Sequence, residues 1–194
     1  DDLLTHEPVD VVDVDPDHLA ALMFTSGTAG PPRAAMLSHG NLLANLEQGR
    51  STDGIHEGDV VYGVLPMFHI FGLNVVLGLT LARGATVVLV QRFDPFTALE
   101  TITERGITVI PGAPPLWLAF SHFDDAPADS FATVRLALTG AAKMPEEATR
   151  HLQQRFGLIL REGYGLTEAS PVVTSSAGLT PKVGSVGKVL AGMQ

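Results

Sequence analysis

The sequence predicts an α/β fold in which helices cover a mostly parallel sheet. From residue 19 onward, short apolar runs alternate with helical segments of about ten residues, as in parallel strands joined by crossover helices. The chain has 194 residues, of which 45% are hydrophobic and 17% are charged, enough for one domain with a sizeable core. No internal repeat or low-complexity tract indicates another class.

Five apolar runs are short enough to be buried strands. They lie at 19–24, 60–65, 85–90, 108–110 and 134–138. Residues 1–17 are acidic and contain two prolines, so they are expected to form an N-terminal segment outside the core. Residues 158–161 are expected to lead into a compact final loop.

The helices are indicated by their end signals. Ser38 and Asp94 are predicted to be N-caps, and Pro145 is predicted at a first helical position, followed by acidic residues that favour the helix dipole. Gly106 and Gly157 are typical C-terminal glycines. The predicted helices cover 39–48, 72–82, 95–105, 114–122 and 145–156.

The residues with unusual chemistry follow the predicted strands. In open α/β sheets, ligands bind at the carboxyl ends of the strands. The loops in question are 25–30, 66–69, 111–114, 139–142 and 162–168. We therefore expect these loops to meet at one edge of one sheet.

The run Phe-Thr-Ser-Gly-Thr-Ala-Gly-Pro-Pro-Arg at 24–33 combines three hydroxyls, two glycines and a cation. Glycines let backbone N–H groups turn towards a common point, hydroxyls add neutral donors, and arginine adds a permanent positive charge. This pattern predicts a loop that binds a polyphosphate, with an ordinary flexible turn as the alternative. It is not a Walker A loop, because no Gly-Lys-Ser/Thr follows at the required spacing.

The composition argues against several function classes. The net charge of −9 and the lack of a basic patch argue against a nucleic-acid partner. The chain has no cysteine, which excludes thiol catalysis and disulfides. It contains no stretch that resembles a transmembrane segment or a signal peptide, so a cytoplasmic location is expected.

Five segments occur in a characteristic order. They are TSGTAGPPRAAMLSH (25–39), LPMFHIFGL (65–73), LTGAA (138–142), REGYGLTEAS (161–170) and GSVGKVLAG (184–192). From about residue 19 to its end, the chain resembles the adenylate-forming superfamily of acyl- and aryl-CoA ligases, luciferases and peptide-synthetase adenylation domains. The PMFHIFG segment is most similar to the fatty-acyl and aryl-CoA ligase branch.

The resemblance implies an acyl-CoA synthetase-like fold, with residues 18–194 as part of the large N-terminal, AMP-binding domain and with the C-terminal domain absent. It implies ATP, Mg²⁺ and coenzyme A as cofactors and co-substrates, and a small carboxylic acid, most simply a fatty acid, as the substrate. The acid would become an acyl adenylate and then a CoA thioester. For this chain alone, we expect weak nucleotide binding and little turnover.

Two alternatives stay open at this point. One is an acyl-AMP ligase that loads a carrier protein, and the other is a degenerate nucleotide- or acyl-binding module. Ala29, Arg33 and Ala34, which replace a common threonine, lysine and glycine of the family, would suit the degenerate module. The resemblance also leaves open peripheral membrane contact in a longer parent protein.

The resemblance gives the predicted polyphosphate loop a specific ligand. It implies that this loop holds the β- and γ-phosphates of ATP through Thr25, Ser26, Gly27, Thr28, Gly30 and Arg33.

The later motifs are assigned to the nucleotide and to the reacting groups. A carboxylate beside bound phosphates suits Mg²⁺, so Glu168 is the expected metal ligand, and Thr167 is expected to bind the α-phosphate. The resemblance implies that His69 lies beside the carboxylate and the adenylate, without acting as a general base. The residues expected along the adenine are Gly140, Ala141, Ala142, Gly163, Tyr164, Gly165 and Leu166.

Two further sets of residues have interpretations that do not involve the nucleotide. Trp117 and its apolar neighbours suit an acyl tunnel and a core helix face equally well. Asp124, Asp125 and Asp129 lack the spacing of a metal site, so a solvated surface is the expected reading.

Overall fold

The computed structural model describes residues 5–25 and 33–193. Its strands, in chain order, are β1 (Leu19–Thr25), β2 (Arg33–Ser38), β3 (Val60–Gly63), β4 (Thr86–Leu89), β5 (Val109–Gly112), β6 (Leu136–Thr139), β7 (Leu160–Gly165), β8 (Val172–Ser175) and β9 (Lys188–Val189). The helices are α1 (His39–Gly49), α2 (a π-helical stretch, Phe71–Leu79, continued by an α-helical turn, Thr80–Ala82), α3 (Pro95–Arg105), α4 (Pro114–Ser121) and α5 (Glu146–Phe156).

Seven strands form one sheet in the order β4-β3-β5-β6-β7-β8-β9. The pairs from β4 to β7 are parallel, and β8 and β9 extend the sheet by antiparallel pairing. The predicted α/β class with a mostly parallel sheet is therefore confirmed. Residues 162–165, predicted as a loop, instead belong to β7, because the glycine-rich segment pairs with β8, a strand that the sequence analysis missed.

The first apolar run was placed wrongly. β1 pairs antiparallel with β2 and belongs to a separate two-stranded sheet. β1 is mostly exposed, and Met23 is its buried residue. Met23 and Leu37 pack on Ile70 at the start of α2, so this hairpin lies against the main body through one face.

Helices cover both faces of the large sheet. Residues of α3, α4 and α5 pack on one face, where the largest buried side chains include Trp117 and Phe120. On the other face, Val61, Val109 and Leu136 of three neighbouring strands pack together with Val76 of α2. Strands buried on both faces explain the continuous apolar runs at these positions.

Most helix ends agree with the sequence signals. Ser38 caps α1 and exchanges hydrogen bonds with Asn41 in a capping box, and Asp94 caps α3. Gly106 and Gly157 are left-handed C-caps. The start of α5 differs by one residue, because Pro145 is its extended N-cap and not its first helical residue.

A polar network joins the amino ends of three parallel strands. The Asp59 carboxylate accepts hydrogen bonds from Arg135, from the Thr108 hydroxyl at 2.7 Å and from the His56 N–H at 2.7 Å. Arg135 also donates to the Gly54 carbonyl at 2.7 Å. Burial by itself would raise the pKa of Asp59, but the Arg135 guanidinium and the other hydrogen bonds outweigh it and hold the pKa below its usual value.

The segment before the hairpin is simpler. Residues 6–18 are exposed and form neither a helix nor a strand. Within the described part of the chain, no helix has both the length and the apolarity needed to cross a membrane.

Candidate functional site

A cavity of about 220 Å³ opens where the parallel strands end. Its wall combines the ends of β6 and β7, one side of α2, the stretch from the end of α1 to residue 55, and the segment that leads into β8. Eight of the sequence-predicted site residues line it, namely His69, Gly140, Ala141, Gly163, Tyr164, Gly165, Leu166 and Thr167. The expectation that separate loops meet at one edge is met for these residues.

The segment after β6 brings backbone close to the cavity. A Cβ atom at Gly140 would lie 3.4 Å from the Phe71 ring and 3.6 Å from the Gly163 carbonyl oxygen. Ala141 has a left-handed backbone with a φ of 69°, which is unfavourable for a residue with a side chain. Ala141 and Ala142 are exposed, and Ala142 is outside the cavity lining.

The glycines of β7 have a packing role that the sequence analysis did not anticipate. A Cβ atom at Gly163 would lie 3.0 Å from the Thr174 carbonyl oxygen, and one at Gly165 would lie 2.5 Å from the Pro171 oxygen. Tyr164 between them is 48% exposed and lines the cavity. The glycines thus permit the close approach of the following chain, while the tyrosine ring stays free to contact a ligand.

Thr167 and Glu168 lie in a single 3₁₀ turn, Thr167–Ala169, directly after β7. Thr167 lines the cavity, whereas the Glu168 side chain is exposed just outside it. The main chain of Ser170 and Val172, just after the turn, is bonded by two buried asparagines, Asn45 of α1 and Asn74 of α2.

His69 is exposed, although its neighbours in sequence are apolar. Its Nδ1 accepts a hydrogen bond from the Phe71 N–H at 3.1 Å. A neutral ring with Nδ1 as the acceptor carries its proton on Nε2. The ring therefore has a defined tautomer at the cavity wall.

The structure describes the residues on either side of the predicted polyphosphate loop, Thr25 and Arg33. Ser26, Gly27, Thr28 and Gly30 lie outside the described residues. Thr25 and the exposed Arg33 pair at the end of the hairpin, and β2 lies close to the Thr167–Ala169 turn. The strand that carries Arg33 is thus near the turn that carries Glu168, although it is not part of the large sheet.

The cavity lining, as described, contains no aspartate, glutamate, lysine or arginine. An uncharged wall suits a ring or an apolar tail better than phosphates, because an unpaired charge is costly to bury. The charged candidates Arg33 and Glu168 are exposed outside the cavity. The apolar part of a ligand would therefore enter the cavity, and its charged part would lie at the rim.

Two polar groups near the rim, Glu162 and Thr139, lie in the predicted loops 162–168 and 139–142 but were not predicted as site residues. Burial raises the pKa of Glu162, Lys143 partly opposes this, and Glu146 adds to it. The Thr139 hydroxyl is buried and has no hydrogen-bond partner among the residues that the structure describes. A run of apolar residues around Thr139 gives no sequence signal for such a group.

Of the two interpretations of Trp117, an acyl tunnel or a core helix face, the structure supports the core. It is fully buried, its Nε1 donates to the Leu138 carbonyl at 3.0 Å, and it packs beside Phe120. It does not line the cavity. Across residues 5–25 and 33–193, no three His, Cys, Asp or Glu side chains cluster closely enough to hold a metal alone.

Known proteins match this chain over nearly its full length. The family model described as "AMP-binding enzyme" matches residues 2–194. A long-chain-fatty-acid–CoA ligase of Bacillus subtilis is 36% identical over 162 residues, which are 82% of this chain and 29% of the ligase. A 4-coumarate-CoA ligase of Narcissus pseudonarcissus is 39% identical over 194 residues, 93% of this chain and 34% of that protein.

A solved structure shows the same fold. The o-succinylbenzoate coenzyme A synthetase of Bacillus subtilis, in complex with ATP and a magnesium ion, matches with a TM-score of 0.79 and 28% identity. The match covers 98% of this chain and 40% of the synthetase. The chain therefore spans about a third of the length of the two curated relatives.

Proposed function

This chain belongs to the family of AMP-binding enzymes, and on that premise we propose that it is part of an ATP-dependent acid–thiol ligase. The carboxylate of the acid attacks the α-phosphorus of ATP, and pyrophosphate leaves. The thiolate of coenzyme A then attacks the acyl carbon and displaces AMP. The single observation that carries the proposal is the uncharged cavity with Thr167 in its wall and Glu168 beside it.

The nucleotide is proposed to lie across the rim of the cavity. The adenine stacks on Tyr164, which is half-exposed, and runs along the backbone of 140–142. The Thr167 hydroxyl donates to the α-phosphate. Thr25, Arg33 and the loop between them take the β- and γ-phosphates, which agrees with the position of β2 near the Thr167–Ala169 turn. An in-line displacement at phosphorus depends more on this kind of positioning and charge neutralisation than on covalent catalysis by the protein.

The residues at the rim fit a magnesium ion that is bound mainly by the substrate. Mg²⁺ is commonly held by one or two carboxylates, with phosphate oxygens and water completing its shell. Glu168 offers one exposed carboxylate. When bound, the ion would neutralise charge on the phosphates, and this chain would contribute the orientation of Glu168 and Thr167.

The test is a calorimetric titration of the chain with ATP, with and without Mg²⁺, for the wild type and for Glu168→Gln. We expect Mg²⁺ to tighten ATP binding by the wild type about tenfold, or about 1.4 kcal/mol, and to have little effect in Glu168→Gln. Glu100→Gln, a matched change at an exposed position of α3, should behave as the wild type does.

Two outcomes of this titration would count against the proposal. An undiminished magnesium effect in Glu168→Gln would remove Glu168 as the metal ligand. A folded wild-type chain that binds no ATP under either condition would mean that residues 1–194 alone do not form the nucleotide site.

The acid is proposed to be a fatty acid of medium length, with an aryl acid as the alternative. The cavity lining runs from Gly140, at the carboxyl end of the sheet, to Gly54 and Ile55, which precede β3. A four-residue strand is about 13 Å long, and 220 Å³ equals roughly seven water-sized volumes. Both figures suit a tail of roughly eight carbon atoms.

We expect affinity for saturated carboxylates to rise about fourfold per methylene, the value for roughly 0.8 kcal/mol of apolar burial, and to level off at roughly eight carbons. Competition binding with acids of increasing length measures this directly. A continued rise to the longest acids would refute the size limit, whereas tight 4-coumarate binding without dependence on chain length would favour the aryl alternative.

Three further assignments are part of the same proposal. The acceptor is coenzyme A rather than a carrier protein, which is supported by the names of the curated relatives. The parent protein acts in the cytoplasm, in fatty-acid metabolism. Residues 18–194 form part of one AMP-binding domain, preceded by the acidic segment 1–17.

A further inference from the structure

Two buried asparagines contact the same short segment from two different helices. Asn45 of α1 is 5% exposed and Asn74 of α2 is 4% exposed. The segment they contact, residues 170–172, lies directly between the Thr167–Ala169 turn and the body of β8. Buried side-chain amides are nearly always hydrogen-bonded. The groups to which these two asparagines bond therefore indicate what they hold in place.

Asn45 pairs with one residue in the way that a neighbouring strand would. Its Nδ2 donates to the Val172 carbonyl at 2.8 Å, and its Oδ1 accepts from the Val172 N–H at 3.1 Å. Its Nδ2 also donates to the Gln48 side chain at 3.2 Å. Both main-chain polar groups of the first residue of β8 are thus bonded by one side chain of α1.

Asn74 holds the other end of the segment. Its Nδ2 donates to the Ser170 carbonyl at 2.6 Å and to the Leu42 carbonyl of α1 at 3.2 Å. The Pro171 carbonyl between them accepts from the Leu166 N–H at 2.9 Å, which closes the loop around the turn.

We infer that Asn45 is a positioning residue, which sets the place of the Thr167–Ala169 turn relative to α1. α1 begins directly after β2, the strand that carries Arg33. One side chain therefore links α1, the helix that follows β2, to Val172, three residues beyond the turn that carries Thr167 and Glu168. The consequence for ATP binding rests on the proposed function, whereas the link itself does not.

The first measurement is amide hydrogen exchange on the whole chain. In Asn45→Ala, exchange at Val172 and Leu166 should accelerate at least about tenfold relative to the wild type, because local opening becomes easier. Exchange at Ile110 in β5 should stay unchanged. Gln153→Ala, which removes an exposed amide side chain from α5, should alter neither region.

The second measurement separates positioning from general support of the fold. Binding of adenosine should change less than twofold in Asn45→Ala, while Mg²⁺-dependent ATP binding should weaken about tenfold, since only the phosphates require the turn in place. Asn45→Ser keeps a short neutral polar side chain but cannot bond both main-chain groups of Val172, so it should give an intermediate effect. It also provides the measurement if Asn45→Ala does not fold.

Each outcome has one meaning for the inference. Unchanged exchange at Val172 and Leu166 would overturn it, and so would an equal loss of adenosine and ATP binding. If the wild type binds no Mg²⁺-ATP at all, the proposed function fails, while the exchange data still decide whether Asn45 holds the turn.

Discussion

Replacing Gly72 with alanine is expected to displace the loop that carries His69 at the candidate site. A Cβ atom there would lie 2.1 Å from the Pro66 carbonyl oxygen and 2.9 Å from the Leu65 carbonyl oxygen. Both contacts are to backbone, so a rotamer change cannot relieve them. The loop that ends at His69 must move by about an ångström, and a shift of that size can reduce the effectiveness of a positioned group about a hundredfold.

Thermal unfolding and ligand binding check this result together. Overpacking of a tight site costs about 1–3 kcal/mol, which lowers the melting temperature by roughly 2–12 °C for a chain of this size. Affinity for a carboxylate that fills the cavity should fall about a hundredfold. Gly49→Ala is the matched control for thermal unfolding, because its Cβ would meet Leu79 at an ordinary 3.5 Å. Because Gly49 also lines the cavity, the control for acid binding is Gln153→Ala, at an exposed position of α5. Normal acid binding by Gly72→Ala would show that His69 does not need its present position.

Replacing Arg135 with methionine is expected to cause a large loss of stability. The Asp59 side chain is 6% exposed, and Arg135 is its ion-pair partner. Removing one partner of a buried pair costs about 3–5 kcal/mol. Because 35% of the Arg135 side chain is exposed, we expect a loss near the lower figure, about 3 kcal/mol, at neutral pH.

The pH dependence identifies the carboxylate as the source of this loss. The pKa of Asp59 is lowered in the folded protein, so its contribution to stability is complete above the unfolded pKa of about 4. It is lost as the pH falls through the folded value. In Arg135→Met the burial of the carboxylate is no longer offset by a cation, so the stability difference from the wild type should shrink as the pH falls below about 4.

Urea unfolding between neutral and acidic pH measures both effects. Arg150→Met, at an exposed position of α5, should cost little at any pH. A loss in Arg135→Met that is the same at pH 3 and pH 7 would mean that packing of the arginine stem, and not the ion pair, supplies the stability.

The parts of the fold that were predictable from sequence are those with a local signal. Buried parallel strands read as apolar runs, and the caps Ser38, Asp94 and Gly106 lie where side-chain chemistry places them. The run at 19–24 carried the same signal but forms a hairpin with β2. Nothing within the run itself distinguishes these alternatives, because the partner strand β2 lies beyond residues 26–32 of the sequence.

The candidate site was predictable where topology determines it. The carboxyl ends of parallel strands share an edge, which brings His69, Gly140 and, near the end of β7, Tyr164 to one cavity. Asn45 and Asn74 were missed because they bond main chain 127 and 96 residues away. An asparagine within a helix is a weak hint that becomes informative only when its distant partner is known.

The strand order has a consequence for the synthesis of the chain on the ribosome. From β5 onward, each strand pairs with one that has already been made, so the large sheet can grow in the direction of translation. The cavity, however, needs β7, the segment entering β8 and Leu190. A nascent chain would therefore acquire a folded body well before it acquires a place for a ligand, and ligand present during translation should rescue late folding steps only.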